Sequence, residues 1–172
     1  MQPFKSPQTD LYLIRHGIAV ERELYAEDAD RPLTAKGQVR TRQVAQRLKN
    51  LGCQVDCIIS SPLVRAQQTT DILLSVGLAQ QTETLAPLTP GGNLQQWLTW
   101  LAQWQAEHPH SALALVGHEP DLSTWAQQLV MGQASDRWIL KKAGVIGLQV
   151  PAAGVALGQS HLFWLTPPRL LL

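Results

Sequence analysis

Apolar residues recur along the chain in two alternating rhythms. Residues 10–15 form a short, largely apolar run, the kind buried inside a parallel sheet, and it ends at His16-Gly17. Residues 18–33 are mixed and acidic and read as a loop. A helix is predicted from Thr34 to Leu51, with Val44, Leu48 and Leu51 on one stripe and Gly52 as its stop. The pattern repeats with a strand over 56–60 and a helix opened by Ser61 as N-cap and Pro62 at the first helical position, running to about Ser75. Residues 81–85 suit a short edge strand, and 85–93, with two prolines and two glycines, suit a loop. Asn93 caps the clearest helix, in which Leu94, Trp97, Leu98, Leu101 and Ala102 share one face; Trp100 and Trp104 form a second stripe, read as packing. A buried strand over 111–117 ends at His118, a helix follows from Pro120 to Met131, and strands are predicted at 142–150 and 161–166.

Strands alternating with helices imply an α/β three-layer sandwich, a mostly parallel central sheet with helices on both faces. The expected organisation is a flexible tail over 1–9 and a single domain over 10–172. In such folds ligands sit beyond the carboxyl ends of the strands.

Composition narrows the function. Of the 172 residues, 45% are hydrophobic and 16% charged, and 14 basic against 13 acidic residues leave a net charge of +1. No global basic field points to nucleic acid or a membrane surface, so any anion must be held by a few local cations. Cys53 and Cys57 lack a second Cys or His pair at zinc spacing and read as free thiols, and no metal site is expected. The opening segment has no apolar core of signal-peptide length, and the closing three leucines are too few to anchor the chain; a cytoplasmic setting is expected.

Two predicted strands finish with a histidine, His16 and His118, and a third finishes at Ser60-Ser61-Pro62, followed by Arg65 in the next helix. Arg15 and Arg65 supply two permanently charged forks shaped for phosphate oxygens. Gly17 lets the chain turn and admits a ligand close to the backbone. A neutral imidazole facing phosphorus is a competent nucleophile, and a second can donate to the equatorial oxygens. Glu119 follows the second histidine and either faces the pocket or favours the dipole of the helix it precedes. Asp28, Asp30 and Arg31 read as a solvated loop with an internal pair; His108, His110, His161 and Lys141-Lys142 read as surface positions, and Trp125 and Trp138 as filling.

Four segments in this order carry a family resemblance: Leu13-Ile14-Arg15-His16-Gly17, Arg31-Pro32-Leu33-Thr34 with Gly37, residues 61–69 from Ser61 to Thr69, and Val116-Gly117-His118-Glu119-Pro120-Asp121. They resemble the histidine phosphatase (phosphoglycerate-mutase-like) superfamily. The small size and Leu88-Thr89-Pro90-Gly91 are most similar to its SixA-type phosphohistidine phosphatases. The resemblance implies that His16 is the phosphorylated nucleophile, that Arg15, Arg65, His118 and the Glu119 N–H complete the phosphate pocket, and that no cofactor is used. Many members carry a Glu before the long middle helix that protonates the leaving oxygen. Here that stretch is Leu85-Ala86-Pro87-Leu88, and the nearest carboxylate, Glu83, falls on the predicted edge strand. An alkoxide leaves poorly without a proton donor, whereas phosphohistidine expels a better leaving group. The expected substrate is therefore phosphohistidine on a partner protein, a phosphorelay domain or phosphorylated enzyme, and the pocket would hold phosphate or another tetrahedral anion. The alternatives are a phosphomonoesterase for a small metabolite and a phosphohistidine-binding regulator without turnover.

Overall fold

The computed structural model describes residues 8–135, 137–151 and 156–172. Six strands, β1 (Gln8–Arg15), β2 (Cys57–Ser60), β3 (Gln81–Thr84), β4 (Ala112–Gly117), β5 (Val145–Pro151) and β6 (His161–Thr166), form one sheet in the order β3-β2-β4-β1-β5-β6. The four strands from β3 to β1 run parallel, while β5 and β6 are added antiparallel at the other side. Four helices connect them: α1 (Ala35–Asn50), α2 (Val64–Ser75), α3 (Leu94–Glu107) and α4 (Asp121–Met131).

The pleat sorts alternate residues to opposite faces. In β4, Leu113 and Leu115 join Trp97 and Leu101 of α3 and Leu122, Trp125 and Leu129 of α4 in one core. Ala114 and Val116 face the other way, onto Val44, Ala45 and Leu48 of α1 and Ile72 and Leu73 of α2. The central strands are buried on both faces, which is why their sequences read as continuous apolar runs. The three-layer sandwich with a mostly parallel sheet is thus the observed architecture. Trp100 and Trp104 pack against the α3–α4 core as filling. Among the described residues no helix is long and apolar enough to cross a membrane.

Several elements end one residue from the sequence expectation, and four boundaries differ for a reason visible in the structure. Residues 8–9, expected in the tail, pair within β1; the rest of that tail, residues 1–7, lies outside the described residues. Leu51 caps the end of α1 and is 49% exposed, so the stripe closes at Leu48. Helix α2 starts at Val64 with Leu63 as its cap; the Ser61 hydroxyl, expected at the cap, accepts from Leu63 N–H at 3.4 Å and also meets an imidazole described below. Finally, β5 begins at Val145, not 142. Residues 141–144 form a turn closed by Gly144 N–H donating to Lys141 O at 2.7 Å, with Ala143 in the left-handed region.

That turn is fastened to the end of β1, since Ala143 N–H reaches the carbonyls of Arg15 and His16 and Arg15 N–H donates to Gly144 O. On the other side, the start of α1 braces the backbone after His16. Thr34 N–H donates to Ile18 O at 2.9 Å, and the Thr34 hydroxyl caps the helix by accepting from Gly37 N–H at 2.9 Å. Gly37 is required by close approach: a Cβ there would overlap the Ile18 carbonyl oxygen and lie 3.0 Å from its carbon. Gly37→Ala is expected to destabilise the fold by about 2–3 kcal/mol despite alanine's better helix propensity, because the obstacle is backbone. Urea unfolding checks this; an unchanged midpoint would show that the contact yields freely.

Candidate active site

Helices and loops leave the carboxyl ends of β1, β2 and β4 side by side. Arg15 pairs in register with Gly117, and the next residues, His16 and His118, emerge from adjacent strands. The His16 N–H donates to Gly117 O at 3.1 Å and the Ser61 N–H to Val116 O at 2.9 Å, so the three strand ends are tied together before any side chain is placed. The two imidazoles lie 5.2 Å apart, centroid to centroid, tilted by 54°.

His16 is buried, and its Nδ1 lies 2.7 Å from the carbonyl of Gly17. A carbonyl only accepts, so Nδ1 carries the proton and Nε2 presents its lone pair. The Nε–H of Arg65, also buried, points at that lone pair from 3.3 Å. Burial first, then the neighbouring His118, pushes the His16 pKa down to about 2. Burial and the charge of Arg65 push His118 down to about 4. Both rings are neutral near pH 7. His118 Nε2 lies 2.7 Å from Ser61 Oγ, while its Nδ1 is buried without a hydrogen-bond partner among the described residues.

These depressed values have a consequence for stability. Below pH 6.5 the unfolded chain binds protons that the native imidazoles refuse, so folding loses free energy as pH falls, down to about 4 for His118 and about 2 for His16. Each contributes about 1.4 kcal/mol per pH unit at most inside its window. His118→Gln is expected to flatten the denaturation profile between pH 6 and 4.5 by roughly that slope; a profile parallel to wild type would mean His118 titrates normally.

Arg65 is fixed from behind. Its Nη1 donates to the carbonyl of Asp28 at 2.7 Å and its Nη2 to the Asp28 carboxylate at 2.8 Å. Arg31 reaches the same carboxylate at 2.8 Å, and Arg22 stands 3.7 Å from it. Although desolvation works to raise it, the bond to Arg65 and the charges of Arg65 and Arg31 hold the Asp28 carboxyl below its ordinary range. Arg15 donates from Nη1 to Leu140 O at 2.9 Å, and its positive charge acts on both imidazoles.

Arg15, His16, Arg65 and His118 therefore converge on one rim, and two further candidates behave differently from expectation. Gly17 was expected to make room for a ligand. Instead, a Cβ at this position would collide with Thr41 Oγ1 and press on Leu33, and the Gly17 N–H is taken by Thr69 Oγ1 at 3.1 Å. Its missing side chain admits helix α1, because Thr41 projects from that helix toward the strand end. The Glu119 carboxylate is half-buried and accepts from the Ser123 hydroxyl at 2.6 Å; burial raises its pKa while Ser123 and Arg15 oppose the rise.

Two residues do more than the sequence suggests: Asp28 reads there as a solvated acid and Ser61 as a helix cap. Thr69, within the 61–69 motif, also donates to Arg65 O at 2.8 Å. Asp28 had a signal: a guanidinium drawn into a site requires a compensating carboxylate, and Asp28 lies three residues before Arg31. Glu83 lies on the exposed edge strand β3, and Leu88 is buried in the core, so the segment before α3 brings no carboxylate. His108 and His161 are exposed, as is His110. Among the described residues no cluster of three potential metal ligands occurs.

A profile of the histidine phosphatase superfamily (branch 1) matches residues 11–89. An uncharacterized protein of Picosynechococcus sp. is 48% identical over 164 residues, covering 95% of this chain and 99% of its own. Among solved structures, the protein histidine phosphatase SixA complexed with tungstate superposes with a TM-score of 0.83 at 23% identity, covering 95% of this chain and 99% of that one. The alpha-ribazole phosphatase of Shigella flexneri gives 0.72 at 17% identity, covering 92% and 96%. With its motifs gathered at the strand ends, this chain belongs to the histidine phosphatase superfamily, and its fold is that of the SixA phosphatases.

Proposed function

We propose that the protein removes phosphate from phosphohistidine on a partner protein, through a phosphohistidine formed on His16. The observation that carries this reading is the His16 ring itself: Nδ1–H locked on Gly17 O, Nε2 lone pair free of its proton and facing the Arg65 guanidinium.

In the first step Nε2 attacks phosphorus in line with the leaving group. A P–N bond to His16 forms as the bond to the substrate nitrogen breaks, and the substrate imidazole leaves with the bonding pair and takes up a proton from solvent. Charge spreads over the equatorial oxygens, where Arg65, Arg15 and the His118 ring can meet it, and the backbone N–H of Glu119 adds a donor. Water then attacks the phosphorus, His16 departs as the neutral ring held by Gly17 O, and phosphate is released. The negative charge on the Asp28 carboxylate holds Arg65 with its Nε edge toward the pocket, which makes Asp28 a positioning residue. Asp28→Asn is expected to lower kcat about tenfold, the worth of one charged hydrogen bond. The melting temperature should shift by only a few degrees and Asp28→Glu should recover part of the rate. A change in KM alone would contradict it.

Leaving-group chemistry favours phosphohistidine over an alkyl ester, because the Leu85–Leu88 stretch offers no acid. A small phosphate ester is the second reading, favoured by one observation: the Glu119 carboxylate, raised by burial, follows directly on His118. Phosphate release from a phosphohistidine-bearing phosphotransfer domain, from sugar phosphates and from p-nitrophenyl phosphate separates the two. Much faster clearance of phosphohistidine is expected, with Glu119→Gln almost as active. Preference for an ester, lost in Glu119→Gln, would reverse the assignment. Full activity in EDTA is expected.

A further inference from the structure

Beside the catalytic pair, and sharing Arg15 with it, runs an open groove of about 650 Å³. Its rim carries Arg15, Arg40, Lys141, Lys142 and Arg169, and among the described residues no carboxylate side chain lines it. In a chain of net charge +1 this is a local concentration of cations. Every ion pair among the described residues converges on Asp28, and none includes these five. The Nε atoms of Arg15 and Arg40 are buried without a hydrogen-bond partner among the described residues. The charge of Glu119 acts on Arg15; one Glu119 oxygen accepts from Ser123 and the other is buried without a partner among the described residues. The Lys142 ammonium is pushed below its ordinary pKa by burial and then by the charges of Arg15, Arg31 and Arg65.

Between these cations the floor is apolar. Ile139 is 67% exposed and Leu165 is 41% exposed, next to Pro167 and Pro168, which have no N–H to donate. A free polyphosphate would have to shed water against that floor. A polypeptide segment bearing carboxylates around an apolar side chain matches both the floor and the rim.

We propose that this groove docks the acidic flank of the protein whose phosphohistidine enters the site, an apolar side chain lying on Ile139 and Leu165 while carboxylates meet Lys141, Lys142 and Arg169. The proposal rests on the phosphohistidine reading above. The turn at 141–144 sets the geometry: it is bonded to the backbone of Arg15 and His16, so the groove keeps a fixed distance from the nucleophile.

Two synthetic peptides test it. Both carry a central phosphohistidine and a nearby leucine, one flanked by glutamates and the other by lysines. The wild type is expected to process the acidic peptide with a kcat/KM at least about fivefold above the basic one, as a few rim charges allow. In Lys141→Glu/Arg169→Glu, two exposed positions, that ratio should fall to about one, with melting curves confirming the fold. Equal processing by the wild type, or a preference that survives the double substitution, overturns the groove. If the wild type leaves both peptides phosphorylated, the phosphohistidine reading itself fails. The groove is then judged by fluorescence anisotropy with the labelled, unphosphorylated acidic peptide: weaker binding by the double variant upholds it, and equal binding overturns it.

Discussion

His16→Ala is expected to lower phosphohistidine turnover by at least about 10⁴-fold, the usual scale for removing a nucleophile. In the proposed mechanism alanine removes the atom that accepts phosphorus, the Nε2 of a ring whose Nδ1–H is anchored on Gly17 O and whose Nε2 lies 3.3 Å from Arg65 Nε. The loss should appear in kcat, since Arg15, Arg65 and His118 remain to bind the anion. Phosphate release measured beside phosphate binding distinguishes the cases. A variant keeping a tenth of the wild-type rate would mean that water attacks the substrate directly.

Arg65→Lys is expected to cost about 10²- to 10³-fold in kcat, the scale for losing a preorganised donor to the transition state. The reason is geometric. Arg65 uses Nη1 and Nη2 to hold Asp28 and presents Nε to the pocket, three directions from one rigid plane. A lysine keeps the charge but has a single nitrogen on a flexible stem, so it can satisfy Asp28 or face the phosphoryl group. Asp28 would hold it away from the pocket, and its own remaining partner would be Arg31 at 2.8 Å. Steady-state kinetics with the phosphohistidine domain decide the matter. Unchanged constants would place Arg65 outside the pocket.

The histidine at the end of β1 and of β4 was legible because strand ends are dictated by apolar runs, and Leu113–Val116 and Leu11, Leu13 and Ile14 are buried. Burial makes such runs long and uninterrupted, so their last polar residue stands out. Boundaries that depend on one hydroxyl were not legible. Ser61 looks like a helix cap in one dimension, but in three dimensions its oxygen lies 2.7 Å from His118 Nε2 and meets the backbone only at Leu63 N–H, 3.4 Å away. Gly17 likewise reads as room for a ligand, whereas the neighbour that needs the room is Thr41, 24 positions later in the chain. Asp28 was hidden for a related reason. Its role comes from Arg65, 37 residues away, and a loop carboxylate gives no periodic signal.

The most direct test of the central claim is to quench the enzyme with alkali during turnover of a substrate carrying labelled phosphate, then map the label. The account predicts an alkali-stable, acid-labile phosphate on the peptide containing His16, formed and discharged at rates matching turnover and absent from His16→Ala. Turnover at full rate with no label on His16, under conditions that would preserve it, contradicts a covalent mechanism at this residue.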